Sequence, residues 1–380
     1  MRMPHVTSLL SGISMAARAN RVRFTPVDSY VNQVTDHYAE VWFPSGGCMW
    51  DKLGHCTTCN YGAPVAVGLD AMVSAVKIAA AALRPTTELL WVSAFDTLHE
   101  REVPAEARRR IFEVLATTPA RTILTEAHPV SVRPAAVAEC VELLQGREFG
   151  VQLGVETMDE FVRYACVNKP FSNSTLERAV RTLHGAGATA WANLIVGIPF
   201  LNRPEVVSGT VKSIRDTAEL GFDQIVLFPN HVKEHTVAHI MATAGRYSPP
   251  DLWVMRDVLA AVPGELIDRV HLAWLDLKPH PGAPRTAFEP DPAATATLHE
   301  LLHRFNIDHD RDALQKAIEL PDHRHAMPEP SLSLVERLIS EYQWLADHHW
   351  ELGWWEKHAA EVKAELEAGH TRPLEPMLPA

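Results

Sequence analysis

Between residues 39 and 228, six short apolar runs rich in β-branched and aromatic residues alternate with stretches of helical periodicity. The runs fall at 39–43, 88–93, 121–126, 150–156, 189–196 and 223–228, and the helical stretches at 70–83, 105–117, 134–144, 173–184 and 204–220. Parallel strands need a crossover between them, so this alternation predicts repeated βα units around a parallel sheet. Six repeats exceed a minimal dinucleotide fold and fall short of a closed eight-stranded barrel, which takes about 250 residues. The predicted class is therefore α/β, a partial (β/α)6 TIM-like barrel with a mainly helical C-terminal cap. The division that follows is 1–37 as an N-terminal extension, 38–232 as the barrel, 233–292 as a connecting substrate-side region and 293–380 as a helical C-terminal region. In the third of these a strand-like run at 270–275 leads into the Pro-rich loop 278–284. In the last, Pro321 and the Pro segment 327–330 separate helices, and one long helix over 331–367 is expected to pack Trp344, Trp350, Trp354 and Trp355 on the barrel.

Composition narrows the function. Across 380 residues, 47 Asp and Glu face 35 Lys and Arg, a formal charge of -12, so no net positive field draws phosphate backbones and nucleic acid is disfavoured as the main partner. The first 24 residues lack a sustained apolar core before a cleavage site, and the longest apolar run, 71–83, is short of the roughly 20 residues of a span and carries Lys77. No membrane association and a cytoplasmic location are expected. Five cysteines are too few for a disulfide scaffold.

Three of those five nevertheless lie within twelve residues. Cys48, Cys56 and Cys59 are spaced C-x7-C-x2-C directly after the first predicted strand, where a barrel of this type places its chemistry. Three thiolates on one loop hold three irons of a 4Fe-4S cluster and leave the fourth without a protein ligand. An open iron is what S-adenosylmethionine (SAM) requires: its amino and carboxylate groups chelate that iron, and one electron splits the S–C5′ bond. The products are methionine and a 5′-deoxyadenosyl radical, which abstracts hydrogen from a substrate in the barrel mouth. The competing reading is a non-catalytic zinc-binding module, with His55 or a later His as fourth ligand. No second CxxC accompanies the first, and His55 adjoins Cys56 too closely for easy joint ligation.

The segment Gly47-Cys48-Met-Trp50, followed by Gly54-His-Cys56-Thr-Thr-Cys59-Asn-Tyr61, resembles the cluster loop of the radical SAM superfamily. The nearest likeness is to the branch of the archaeosine synthase radical SAM component and the elongator catalytic subunit. It extends over Leu153-Gly-Val-Glu156-Thr157, Val167-Asn168-Lys169 with Phe171, Asn193-Leu-Ile-Val-Gly197-Ile-Pro199 and Leu227-Phe228-Pro229-Asn230, in all about half the chain. The resemblance implies that the segment from Ser93 to Asp96 meets the methionyl amino group of SAM, although the usual glycines are missing there. It implies Glu156 as a carboxylate for the ribose or amino group. Gly197 and Pro199 would shape the strand end near adenine, with Asn193 as a polar contact. Thr58 stands where many relatives have an adenine-facing aromatic, and Tyr61 is the substitute. The plain alternatives are a strand-end salt bridge for Glu156 and an ordinary turn for Gly197 and Pro199.

Cys166 matches a cysteine of the archaeosine branch and is a candidate catalytic residue for thiyl or sulfur chemistry; a buried free thiol is its plain alternative. Cys140 falls on a helical pattern and reads as core. His231, Lys233 and His235 follow the sixth strand, facing substrate or forming a solvated loop. Arg108, Arg109 and Arg110 read as a solvated helix face. His323, His325, His348 and His349 have no metal-ligand spacing. The resemblance points to a tRNA base, with a tRNA-base-modifying lyase as the alternative function. The acidic balance favours a small metabolite of nucleoside or sugar-like type from specialised biosynthesis, with oxidation, epimerisation, lyase chemistry or sulfur insertion as outcome. A flavodoxin or ferredoxin is the expected electron donor.

Overall fold

The computed structural model describes residues 2–19, 30–62, 67–273, 292–321 and 332–371. The loop 278–284, His323, His325 and the Pro segment 327–330 lie outside these residues, as does the end of the strand expected at 270–275. Among the described residues, eight strands form one sheet in chain order: β1 (Tyr30–Gln33), β2 (Tyr38–Trp42), β3 (Leu89–Ser93), β4 (Thr122–Ala127), β5 (Glu148–Glu156), β6 (Thr189–Val196), β7 (Gln224–Pro229) and β8 (Val270–Leu272). β1 pairs antiparallel with β2, and every later pair is parallel. The sheet is thus the expected partial barrel, enlarged at both edges. β8 adds a seventh parallel strand through Val270, which lies opposite Ile225, and β1 belongs to the stretch read as an extension.

Helix α1 (Pro4–Ala19) precedes the sheet, and the short α2 (Met49–Lys52) lies in the cysteine loop. The crossovers are α3 (Leu69–Ala81), α4 (Ala105–Leu115), α5 (Pro134–Leu143), the single turn α6 (Glu160–Val162), α7 (Asn173–Gly185) and α8 (Arg203–Leu220). Then come α9 (Val237–Thr243), α10 (Leu252–Ala261), α11 (Pro292–Asp308), α12 (Arg311–Glu319), α13 (Leu334–His349) and α14 (Trp354–Thr371). The expected helix 331–367 is therefore two helices. Gly353 between them takes a φ of 74°, a left-handed conformation that ends regular helix.

Alternation along the strands sorts the two faces. Val41, Val92, Ile123, Leu153, Ala192 and Leu227 point outward into one core shared with the crossover helices. In it Phe112 of α4 meets Phe149 edge-on at 5.4 Å between centroids, and truncating Phe112 to Ala would cost about 3–5 kcal/mol. The inward positions are different: Glu40, Ser93, Glu126, Gln152 and Asn193 put polar groups where a closed barrel stacks aliphatic layers. A polar inner face is maintained when it serves a ligand, since unpartnered buried polar groups are costly.

A second core joins α1, α13 and α14 to the short π-helical turn Arg163–Val167 that follows β5. Leu9, Leu10 and Ile13 of α1 meet Tyr342, Leu345, Val362 and Leu366 there. Trp354 and Trp355 are buried within it, and the Trp350 ring fills the space beside Gly12, where an added Cβ would lie 2.3 Å from it. The tryptophans reach the barrel through α1 and the π turn, because those elements present the apolar stripe that strands alone do not. Of the arginine triplet, Arg109 and Arg110 are on the surface, but Arg108 is buried and pairs with Glu139 at 3.4 Å. Arg108 falls on the buried face of α4 with Ile111, Phe112 and Leu115, which the charge run alone did not reveal.

Candidate active site

The carboxyl ends of β2 to β7 open into one cavity. Cys48, Cys56 and Cys59 line it from the loop after β2, opposite Glu126, Gln152, Glu156, Lys169 and Asn193. Trp42, Trp50, Tyr61, Phe95 and Phe228 supply its aromatic wall. Tyr61 stacks on Phe95 with centroids 4.8 Å apart, and the Lys233 ammonium lies 5.3 Å from the Tyr61 ring. Trp50 stacks on His128 at 4.0 Å.

The loop is tied down at several points. The Cys48 amide donates to the Tyr61 carbonyl at 3.0 Å, closing the loop on itself. Glu102, fully buried, accepts from the Met49 amide at 2.7 Å and the Asp96 amide at 3.0 Å, locking the cysteine loop to the end of β3. The Thr57 hydroxyl donates to the Cys166 carbonyl at 2.6 Å, which ties the loop to the π turn. Cys56 has a φ of 68°, Phe95 of 75° and Glu156 of 65°, left-handed conformations for residues with side chains. Such strained turns gather at functional sites, where the surroundings over-determine them.

Around the thiols the electrostatics are divided. The Cys56 thiol donates toward Cys59, which raises the pKa of Cys56 and holds that of Cys59 below its ordinary value; burial pushes Cys48 up. Lys169 pairs with Glu156, and although burial opposes its charge, Glu156 and the thiols of Cys56 and Cys59 raise its pKa. A bulge at Gly154 and Glu156 re-aims this strand end, setting Glu156 opposite Leu194. Gly154 leaves room for the pair: a Cβ there would be 2.9 Å from the Glu156 carboxylate and 3.2 Å from the Lys169 ammonium. Burial raises Asp96 to about 6 and Glu126 to about 7, opposed by the hydroxyls of Ser131 and Ser93 respectively.

The expected site residues are distributed as follows. Cys48, Cys56, Cys59, Tyr61, Asp96, Glu156 and Asn193 share the cavity. Ser93 turns its hydroxyl to Glu126. Gly197, at φ 83°, offers its carbonyl to the Tyr247 hydroxyl at 2.6 Å and packs on Pro250, and buried Pro199 follows it. Cys166 stands apart from the cavity, its side chain fully buried in the second core. Lys233 lines the cavity, while His231 and His235 are not on its wall. Sequence reasoning did not single out Glu102, Glu126, His128 or Gln152. The signal for Glu126 and Gln152 was present as polar positions in otherwise apolar strands, and the register sets them directly opposite each other.

No family model matches the chain. It is 29% identical over 235 residues to archaeosine synthase subunit beta of Methanosarcina acetivorans, covering 60% of this chain and 68% of that protein. Over 224 residues it is 30% identical to archaeosine synthase subunit beta of Thermococcus kodakarensis, covering 57% of this chain and 69% of that protein. The chain belongs to the radical SAM superfamily, in the archaeosine synthase subunit beta branch. Solved structures that overlay on it include archaeal Methanocaldococcus infernus Elp3, with a TM-score of 0.44, 15% identity and 64% of this chain and 59% of that one covered. Methylornithine synthase (PylB) overlays with a TM-score of 0.44, 11% identity and 94% and 91% covered.

Radical SAM membership implies a 4Fe-4S cluster and SAM, and the donor set fits them. Among the described residues, no three His, Cys, Asp or Glu side chains are grouped to hold a single metal ion. The three thiols instead share one cavity wall, as a polynuclear cluster with one thiolate per iron demands. Cys140 and Cys166 are buried elsewhere, so the wall carries three thiols and no fourth; these three would hold a cluster that keeps one iron without a thiolate, as SAM binding requires. The buried Gln152 and Asn193 carboxamides each leave an oxygen without a partner among the described residues, and His128 likewise leaves a ring nitrogen, all on this cavity. Those are the groups that a bound polar ligand satisfies.

Proposed function

We propose that this radical SAM protein acts on a small polar metabolite held against the inner face of the barrel. The observation that carries the reading is the meeting of three thiols, without a fourth, and a row of buried polar side chains in one cavity. When bound, the cluster and SAM supply one-electron cleavage of the sulfonium and hence a hydrogen-atom abstractor. The chain's own residues do the rest. Cys48, Cys56 and Cys59 hold the irons. Glu156, paired with Lys169, orients the hydroxyl or amino groups of SAM, and the Tyr61–Phe95 stack offers an apolar platform to its adenine. Asp96, at the end of β3, is placed toward the methionyl end. Glu126, Gln152 and Asn193, deeper on adjacent strands, are left for substrate and accept from its N–H or O–H groups. His128, held neutral by burial, adds one ring nitrogen. The aromatic wall excludes water from the reacting centre.

The net charge of -12 supports a small substrate over a polynucleotide. The reading carries with it a reducing cytoplasmic setting and a flavodoxin- or ferredoxin-type electron donor; no helix among the described residues is long and apolar enough to cross a membrane. The division at residues 37, 232 and 292 belongs to the same proposal, with Lys233 as the first substrate-side residue on the cavity. A second reading, a tRNA-base-modifying lyase, is favoured by the names of the two archaeal relatives. Binding of bulk tRNA over a salt series separates the two. The proposed function predicts no salt-sensitive binding at micromolar protein, and such binding would establish the second reading in its place.

A further inference from the structure

Arg18, near the C-terminal end of α1, reaches under the cysteine loop. Its Nη1 donates to the Asp51 carbonyl at 2.7 Å. Its Nη2 faces three more carbonyls, of Cys59 at 3.2 Å, Cys56 at 3.3 Å and His55 at 3.4 Å. The same guanidinium pairs with the Asp51 carboxylate, with 11% and 1% of the two side chains exposed, and that carboxylate also accepts from the Gly62 amide. One planar cation therefore gathers both ends and the middle of the segment that carries two of the three thiols. Arginine suits this because its donors are fixed in a fork and its charge is permanent.

The helix that carries Arg18 is itself anchored. At its other end the buried Glu365 of α14 accepts from the amides of His5 and Val6 at 3.0 Å each, an anion on a helix N-terminus. Between the two ends, Gly54 of the loop sits against α1 so closely that a Cβ would lie 2.6 Å from the Ser11 carbonyl oxygen. Ser11 also receives the Asn168 carboxamide at 3.1 Å.

We propose that Arg18 is the positioning residue of the cluster loop: by gathering the carbonyls of Asp51, His55, Cys56 and Cys59 it sets the thiols of Cys56 and Cys59 in the arrangement that receives the iron-sulfur cluster. The loop clamp is a property of the protein alone, whereas its purpose rests on the cluster assignment, so two measurements are needed. The first is the rate of iodoacetamide alkylation of each cysteine in cofactor-free protein, followed by mass spectrometry. In Arg18→Ala the rates at Cys56 and Cys59 rise about tenfold, as expected for loss of charge-assisted hydrogen bonds, while fully buried Cys140 and Cys166 keep theirs. In Arg18→Lys the rates are intermediate, because a point-like ammonium pairs Asp51 without spanning four carbonyls. The second is iron retained after anaerobic reconstitution and desalting, which falls in the order wild type, Arg18→Lys, Arg18→Ala.

Wild-type alkylation rates in a natively folded Arg18→Ala would overturn the clamp. If that variant loses its native circular dichroism, Arg18→Lys decides, and wild-type rates there overturn it equally. Faster alkylation with undiminished iron retention in Arg18→Ala overturns the positioning role. A wild-type protein that takes up no iron contradicts the cluster assignment, and with it that role, while leaving the alkylation result to stand by itself.

Discussion

Lys169 and Glu156 form an ion pair on the wall of the thiol cavity, with only 13% and 10% of their side chains exposed. Removing one member of such a pair leaves a buried charge uncompensated. In cofactor-free protein, Lys169→Met is expected to destabilise the fold by about 3–5 kcal/mol, and Glu156→Gln combined with Lys169→Met to recover part of that loss. Denaturant unfolding of the two single variants and the double variant measures the coupling. Additive effects would show that the pair is not held together in solution.

Glu126 predicts a pH effect with a definite sign. Its pKa is raised from 4.5 to about 7, first by burial and then by Glu156, with Ser93 and Lys169 opposing; Glu40 also faces it. Below the ordinary carboxylate value both states are protonated and nothing changes. Between there and about 7 the folded state keeps a proton that the unfolded chain releases, so stability falls as pH rises. Asp96 and Glu102 act in the same direction, so the test is a difference. Glu126→Gln should be flatter than wild type over this window, by on the order of 1–3 kcal/mol across it. Parallel stability curves for the two proteins would refute the shift.

How much of this was legible in the residues depends on distance along the chain. The thiol triple was readable because its ligands lie on one loop with a recurring spacing, and the strand ends were readable because alternation and turn residues are local signals. Arg18 carries no such signal, since apart from the Asp51 carboxylate, 33 residues away, its partners are backbone carbonyls that any sequence supplies. β8 is only three residues long and owes its place to pairing with β7 rather than to its own propensity. The break at Gly353 was hidden by strong helix formers on both sides. Glu126 and Gln152 become meaningful only once the register sets them opposite each other.

Cys166 separates packing from chemistry. Its thiol is fully buried in the second core beside Tyr342, outside the cavity. Cys166→Ala is expected to retain the full iron content of wild type and to lose about 1 kcal/mol of stability from the small cavity. Iron analysis and thermal unfolding of the one variant check both parts. A loss of iron equal to that in a variant of Cys48, Cys56 or Cys59 would place Cys166 among the ligands after all.

In the proposed site, Cys48, Cys56 and Cys59 hold one 4Fe-4S cluster with an iron open to SAM. Electron paramagnetic resonance of the dithionite-reduced, anaerobically reconstituted protein, recorded with and without SAM alongside iron and sulfide analysis, tests it most directly. The predicted result is about four iron and four sulfide per chain, a reduced-cluster signal that changes on adding SAM, and loss of that signal when any of the three cysteines becomes Ala. A colourless protein that retains stoichiometric zinc, or a cluster signal indifferent to SAM, would contradict it.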